Sequence, residues 1–580
     1  MSKPSSFSHY TFQILMTERL KSARRLWPYL AIVLAALLGH GLLLFNDGTY
    51  WDDWLMKSQL ATGTWSAQYD WAAQMGLPVF AYFFWGLKLA GLLGNYKAVA
   101  FLSLFTSAIL VYKICLRFAW VNRIEALGIA LLSLVYPAYQ TTVALSTLQY
   151  EVFYCLFLIA AWLLLRSEQT AGPKWPALAM RLTTLLLFFL AFNVNSLLVF
   201  YFPFLLLVFL SIRQARGLSW SEAVKTLPLR RLDFILLPFA YWGSKKVFFP
   251  THGLYAHYNA IDLSLTPLTN RILASIKIAG YAQTEAAIAH LSGQPILWIL
   301  ILAATFSIYS KYIKLAPSTS LTHFAVMRES GKTKWFVLFG LLLLLSAVFP
   351  YSAVGDIPTL SGWNSRHALL VGLPMAVLIV AALRLVWVGG LYREPGRFDR
   401  RMISFLIGIS LLTAFALSTI DYYVGWQVRA IKDRAIMSDL AETPILKKFS
   451  VFWIDDQFPA GGERLYRFYE WSSMFKRIWG GESRIGLQIQ GYGNNPAILP
   501  SLGKFYTKHY NLSDFDPSGC QVGMTITRGP LHYSDGELVR RYFEYRYFDR
   551  QELPDFLHGV VHLDVQLLKS ADPRCDLDIH

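Results

Sequence analysis

Three carboxylates crowd the first polar stretch of the chain, Asn46-Asp47-Gly48-Thr49-Tyr50-Trp51-Asp52-Asp53-Trp54, directly after a hydrophobic run. Acidic side chains are costly at membrane depth, so a cluster where a membrane helix meets water is either solvated or employed. Asp52 or Asp53 could take the proton of an attacking hydroxyl while the other acid orients the acceptor. The plain alternative is a solvated helix end, with Trp51 and Trp54 as interfacial anchors. Glu151 adds a second acid, opening a hydrophobic segment after the polar loop that begins at Tyr136-Pro137. It could line the same cavity, or simply sit where a helix dipole favours an anion.

A phosphate-bearing substrate needs cations. Lys245-Lys246, at the far end of a hydrophobic segment, and Arg366-His367, entering another, stand where the charge pattern leads one to expect few basic residues. Arginine's planar fork suits phosphate, and lysine there can also snorkel to head groups. Asp47, Tyr255, His257 and His367 are weaker candidates for holding an acceptor. The histidines of the loop, His252 and His257, do not have metal-ligand spacing, and no metal is assigned. The chain carries no P-loop, no HExxH, no paired CxxC, no nucleophile elbow and no dinucleotide fingerprint.

The elements that must position these residues are membrane helices. Of 580 residues, 55% are hydrophobic and only 16% charged, well below the charged share of soluble domains. Apolar segments fall near 28–45, 78–94, 97–115, 125–139, 150–166, 178–193, 195–212, 233–248, 295–312, 335–350, 369–386 and 403–423. The formal charge of +16 lies mainly in loops between those runs. That is the positive-inside pattern, and it argues against a nucleic-acid partner. Keeping every basic loop inside requires a single net crossing between residues 78 and 115. The reading is therefore an α-helical polytopic membrane protein with about eleven crossings. Residues 1–27 form a cytoplasmic amino-terminal segment and 28–425 the transmembrane domain. The first hydrophobic run is expected to be a retained helix, not a cleaved signal.

Residues 266–291 have apolar positions near helical spacing, as in a helix lying along a membrane surface. Beyond 427 the long apolar runs end, and the stretches 481–490 and 559–568 alternate as strands do. Residues 427–580 are expected to form a small extracytoplasmic α+β domain, in which Cys520 and Cys575 could pair.

The order of a first helix, an outer loop with Asp52-Asp53, a basic turn at Lys113–Arg123, a helix ending in Tyr136-Pro137 and an acid at Glu151 resembles the GT-C superfamily of polyprenyl-phosphate-sugar-dependent glycosyltransferases. Protein O-mannosyltransferases, lipid A aminoarabinose transferases and O-antigen glucosyltransferases are among its branches. Ser365-Arg366-His367 leading to Pro374 looks like that superfamily's Arg-aromatic stretch. The resemblance spans residues 28–425. It implies a catalytic acid matched by Asp52 or Asp53, a second acid matched by Glu151, and donor phosphate held by Lys245, Lys246 and Arg366. It implies a polyprenyl-phosphate sugar as donor, an envelope glycan or lipid as acceptor, and residence in a bacterial inner or plasma membrane. Some relatives use a divalent cation and others use none. Gly76-Leu77-Pro78-Val79 stands where the mannosyl and aminoarabinosyl branches have a Lys-Pro-Pro-like motif, so that phosphate contact is not carried over. A transporter or flippase of lipid-linked sugars, or a non-catalytic envelope-glycan assembly protein, would use the same acids and bases for binding alone.

Overall fold

The computed structural model describes residues 7–62, 65–118, 120–167, 174–257, 259–313, 323–389, 400–458, 465–480, 484–493, 498–501 and 519–567. Cys575 lies outside them. Most of the chain is helical. From the amino end come α1 (Phe7–Phe45), three short helices α2 (Asp53–Thr62), α3 (Trp65–Gln74) and α4 (Pro78–Leu89), then α5 (Tyr96–Cys115), α6 (Arg123–Val135) and α7 (Leu148–Ser167). They are followed by α8 (Lys174–Ala191), α9 (Ser196–Ala215), α10 (Trp220–Arg230), α11 (Leu232–Phe248) and α12 (Leu265–Ile276). A π-helical turn, Lys277–Ala282, joins α12 to α13 (Gln283–Ser292), before α14 (Pro295–Ile313), α15 (His323–Ala353), α16 (Gly372–Gly389) and α17 (Arg400–Glu442).

Among the described residues, six helices are long and apolar enough to cross a membrane, or up to seven if the bent pair Leu265–Ser292 and Pro295–Ser307 is one span. This is a multi-pass membrane protein. In the 78–115 stretch only one of the two apolar runs can cross: α5 with its preceding turn is 23 residues long. The 12 residues of α4 reach about 18 Å, short of a hydrocarbon core of about 30 Å. The expected surface helix at 266–291 is helical, and it turns through 100° into α14.

Local chemistry sets several boundaries. Asn122 accepts from the N–H groups of Ile124 and Glu125, and Glu125 accepts from the Asn122 N–H, a capping box that opens α6. Pro78 starts α4, where its missing N–H is no loss. Gly76 adopts φ +68, and a Cβ there would lie 2.6 Å from the Phe249 carbonyl oxygen. Only glycine allows that approach of the α3–α4 turn to the end of α11.

The last membrane helix does not stop where its apolar run ends. α17 has 43 residues, about 65 Å at the α-helical rise, roughly twice the hydrocarbon thickness. Its far half becomes the core of the carboxy-terminal domain: Val428, Ile431, Ala435 and Ile436 pack in one cluster with Phe452, Ile454, Val522 and Met524. Those partners lie in a four-stranded sheet of β1 (Val451–Asp456), β2 (Ile485–Gln488), β3 (Gln521–Arg528) and β4 (Val561–Leu567), in the order β2-β1-β3-β4. The β1–β2 and β1–β3 pairs are parallel and β3–β4 is antiparallel. β2 and β4 fall within the two stretches whose alternation is legible in the sequence. α18 (Phe468–Trp479) lies against β2 and α2. Cys520 is disulfide-bonded.

Candidate functional site

The acidic cluster forms a junction between the helical bundle and the sheet domain, and its three carboxylates have three different surroundings. Asp47 is an ion-pair hub. Its Oδ2 receives Arg434 Nη2 at 2.6 Å, Tyr542 Oη at 2.6 Å and Arg546 Nη1, while Oδ1 receives Gln427 Nε2 at 3.0 Å. It ties the first loop to α17 and to the helix Asp535–Tyr547, which leaves it little capacity for an acceptor.

Asp53 is fully buried. Oδ1 accepts from Ser146 N and Ser146 Oγ, both at 2.8 Å, and Oδ2 accepts from Leu145 N at 2.8 Å. The Tyr96 hydroxyl, which donates to the Val143 carbonyl at 2.8 Å, lies 3.5 Å from Oδ2. Burial pushes the Asp53 carboxyl above the ordinary carboxylate range, opposed by the Lys57 charge and by the donors of Leu145 and Ser146. Lys57 stands one helical turn on, with Nζ bonded to Thr49 Oγ1 at 2.9 Å and set over the Tyr96 ring. Burial lowers its ammonium and Asp53 opposes that. Three donors occupy the Asp53 carboxylate, two on Oδ1 and one on Oδ2, and complete burial leaves its remaining lone pair facing the Tyr96 hydroxyl rather than open space. Among the described residues no group of three or more His, Cys, Asp or Glu is placed to hold a metal ion.

Asp52 differs. It is only partly buried. One oxygen, Oδ1, accepts from the Tyr469 hydroxyl at 2.5 Å, and Oδ2 has no partner among the described residues. The residue before it, Trp51, has φ 50, a left-handed conformation that is strained for a bulky side chain. Aromatic packing holds it there: the Trp51 ring lies 4.8 Å from Trp363 and 4.7 Å from Trp426, centroid to centroid. The strained turn aims Asp52 away from Asp53, so adjacent acids face different surroundings.

The segment between α6 and α7 organises the site. Residues 136–149 are buried except for the half-buried Tyr139, although irregular backbone usually runs over a surface. At membrane depth such backbone is tolerated only when protein surrounds it or it lines a cavity. Its polar groups are accordingly used. The Tyr136 hydroxyl donates to the Ala279 and Gly280 carbonyls of the π-helical turn, at 2.7 and 3.0 Å. Gln140 N donates to Ser365 Oγ at 3.2 Å, and Gln140 O accepts from Trp426 Nε1 at 3.1 Å. The Tyr139 hydroxyl donates to Glu151 Oε1 at 2.7 Å. Glu151 is 1% exposed and its Oε2 has no hydrogen-bond partner among the described residues. One buried segment thus fastens both Asp53 and Glu151.

The expected cations separate. Lys245 donates to Asn195 Oδ1 at 3.1 Å and packs against the Gly76 turn. Lys246 is exposed, with its ammonium 4.3 Å from the Trp242 ring centroid. Successive residues on a helix point about 100° apart, so the pair does not converge on one phosphate. Arg366 is connected to the first loop through two aromatic rings. Its guanidinium stacks 4.4 Å from the Trp363 ring, which packs on Trp51, and donates to Trp363 O and Asn364 Oδ1. His367 is buried against Tyr351, with Nε2 3.4 Å from Asp356 Oδ2. Burial and the Arg366 charge push its imidazole down to about 3, so it is neutral. Tyr255 accepts from Trp71 Nε1 at 3.0 Å, and His257 is exposed in the same loop. That loop docks on α3 through Gln74.

Three contributors escaped the sequence reading. Lys97 is buried at the start of α5 and donates to Asn46 O and Gly48 O, each at 2.9 Å. A lysine inside an apolar run is itself a signal. Lys57 follows Asp53 by four residues, the spacing of a helical ion pair. Tyr469 lies 417 positions from Asp52, and nothing local announces it. Comparison with family models, curated proteins and solved structures finds no match to this chain.

Proposed function

We propose that this protein is a membrane glycosyltransferase that moves a sugar from a polyprenyl-phosphate donor to a cell-envelope glycan or lipid acceptor, with Asp52 as the base. The observation that carries the reading is the division of labour between adjacent acids. Asp53 is fully buried and accepts three hydrogen bonds, whereas Asp52 sits on a strained turn with one oxygen held and the other without a partner among the described residues. A general base needs an available lone pair within reach of the hydroxyl proton. Asp52 Oδ2 accepts that proton, the acceptor oxygen bonds to the anomeric carbon, and the bond from that carbon to the phosphate oxygen breaks. Polyprenyl phosphate leaves with the electron pair. Arg366 balances the charge on the departing phosphate, an electrostatic contribution of several kcal/mol in a dry site.

The same proposal includes the topology. Seven spans, with α8, α11 and α16 crossing as well and the 13-residue α6 completed to membrane depth by the buried segment that follows it, make about eleven. The basic loops then lie in the cytoplasm with the amino terminus, and the sheet domain lies outside.

The test is release of free polyprenyl phosphate by purified protein, given a panel of polyprenyl-phosphate sugars and an envelope glycan extract. Wild type should release it and Asp52→Asn should not, at equal folded yield. Full activity in Asp52→Asn would sink the assignment. One observation favours a second reading. The 100° break between α13 and α14, beside a π-helical turn, is the kind of broken helix that transporters use. A flippase would move lipid-linked sugar across vesicles without releasing polyprenyl phosphate.

A further inference from the structure

Among the described residues, the hydrogen bond from the sheet domain to the proposed base comes from Tyr469. The Tyr469 hydroxyl donates to Asp52 Oδ1 at 2.5 Å. We propose that Tyr469 is a positioning residue for Asp52, so that the sheet domain completes the active site instead of only collecting acceptor. This rests on the assignment of Asp52 as base.

Three features support it. First, the tyrosine is fixed: it is 6% exposed and belongs to a cluster with Leu55 of α2, Trp453 of β1 and Leu487 of β2. Its hydroxyl is delivered to Asp52 by packing on both sides of the domain junction. Second, its bond falls on Oδ1 only, which orients the carboxylate and leaves Oδ2 for an acceptor hydroxyl. Third, α18 is itself anchored at its amino end to α17. Arg467 N donates to Glu470 Oε2 at 2.9 Å in a capping box, and Tyr466 is hydrogen-bonded to Asp433. Asp433 lies on the part of α17 that runs into the sheet domain, so the docking of that domain on α17 sets the rotamer of Asp52. A hydroxyl donated to a carboxylate favours its charged form, and fixing the reacting group lowers the orientational barrier.

The experiment uses full-length protein in detergent, as wild type and Tyr469→Phe. Carbodiimide labels reachable carboxyls, so the rate of Asp52 labelling at one fixed pH, read by mass spectrometry, reports that residue without needing turnover. The rate should rise about threefold or more in Tyr469→Phe, which frees Oδ1. Tyr533→Phe, at a sheet-domain tyrosine packed against the other cluster, should leave it in place. In the transfer assay Tyr469→Phe should lower kcat by about tenfold to a hundredfold with little change in KM. Tyr469→His, which returns an N–H donor, should recover part of the rate. An unchanged labelling rate in Tyr469→Phe overturns the proposal whether or not the protein is active. A raised labelling rate in a protein whose wild type releases nothing from any donor sinks the glycosyl-transfer reading instead, so the two failures are told apart.

Discussion

Ser146 donates both its backbone N–H and its hydroxyl to the same oxygen of Asp53, each at 2.8 Å. This bond pair joins the start of α2 to the buried segment before α7, two regions 93 positions apart. It makes Asp53 part of the framework. Removing the hydroxyl in Ser146→Ala leaves a buried acid one donor short, a loss of about 1–3 kcal/mol. Asp53→Asn turns an amide N–H₂ toward N–H donors and should cost more, about 3–5 kcal/mol. Thermal unfolding in detergent should rank wild type above Ser146→Ala above Asp53→Asn, with Asp52→Asn close to wild type. An Asp53→Asn protein as stable as wild type would remove the framework role.

Asp47 should behave as a latch between bundle and sheet domain. Asp47→Ala strands Arg434 and Arg546 together with no carboxylate between them, at a cost of about 3 kcal/mol for the broken partly buried pairs. Limited trypsin digestion is the direct measurement. Cleavage near Arg546 and Arg550 should accelerate in Asp47→Ala while the membrane helices stay protected, and unchanged digestion would show that the latch carries no weight.

The membrane helices and both acidic positions are legible in the sequence because bilayer solvation leaves long apolar runs and makes every interruption conspicuous. The chain position of Asp52 and Asp53 says that acids meet at a helix end. It does not say which is buried among donors, because that depends on Leu145, Ser146 and Tyr469, brought up by folding. The end of the last apolar run near 423 reads as the end of a helix, yet α17 continues to Glu442. Its continuation carries Arg429, Lys432 and Asp433, whose charges resemble a soluble linker. They are buried and paired, Arg429 with Asp433 and Lys432 with Asp456. β1 escapes notice for a related reason, whereas β3 alternates buried and half-buried residues and carries the legible pattern of a strand. β1 is buried over its first four residues, without the half-exposed alternation that marks β4, and a continuous short apolar run does not distinguish strand from helix.

The cations make a discriminating pair. Arg366 stacks on Trp363 beside Trp51, whereas Lys246 is exposed over Trp242. Arg366→Ala should raise the donor KM at least tenfold, in keeping with loss of a charged hydrogen-bonding group. Arg366→Lys should not restore it, because lysine lacks the planar face that stacks on indole. Lys246→Ala should stay within about twofold of wild type. Steady-state kinetics on the three variants checks this, and a defect in Lys246→Ala equal to that in Arg366→Ala would place the phosphate elsewhere.

His558 gives the sheet domain a pH dependence whose sign can be worked out. Its Nδ1 lies 2.5 Å from Asp439 Oδ1 and its Nε2 2.9 Å from Glu442 Oε1, so the imidazole bridges the helix Leu553–His558 to the far end of α17. Burial works against its charge, but the hydrogen bond and charge of Asp439, followed by those of Glu442, raise it above the ordinary histidine range. A histidine raised on folding contributes stability that is fully present below its unfolded value and lost as pH climbs through its folded value. The bridge is partly exposed, so the effect stays below about 1 kcal/mol. Melting of the sheet domain should therefore fall modestly as pH rises from about 6.5 through the neutral range. His558→Gln should lower the melting temperature at pH 6 and flatten that slope. A wild-type profile that rises over the same interval, or a His558→Gln profile parallel to it, would show that another group sets the dependence.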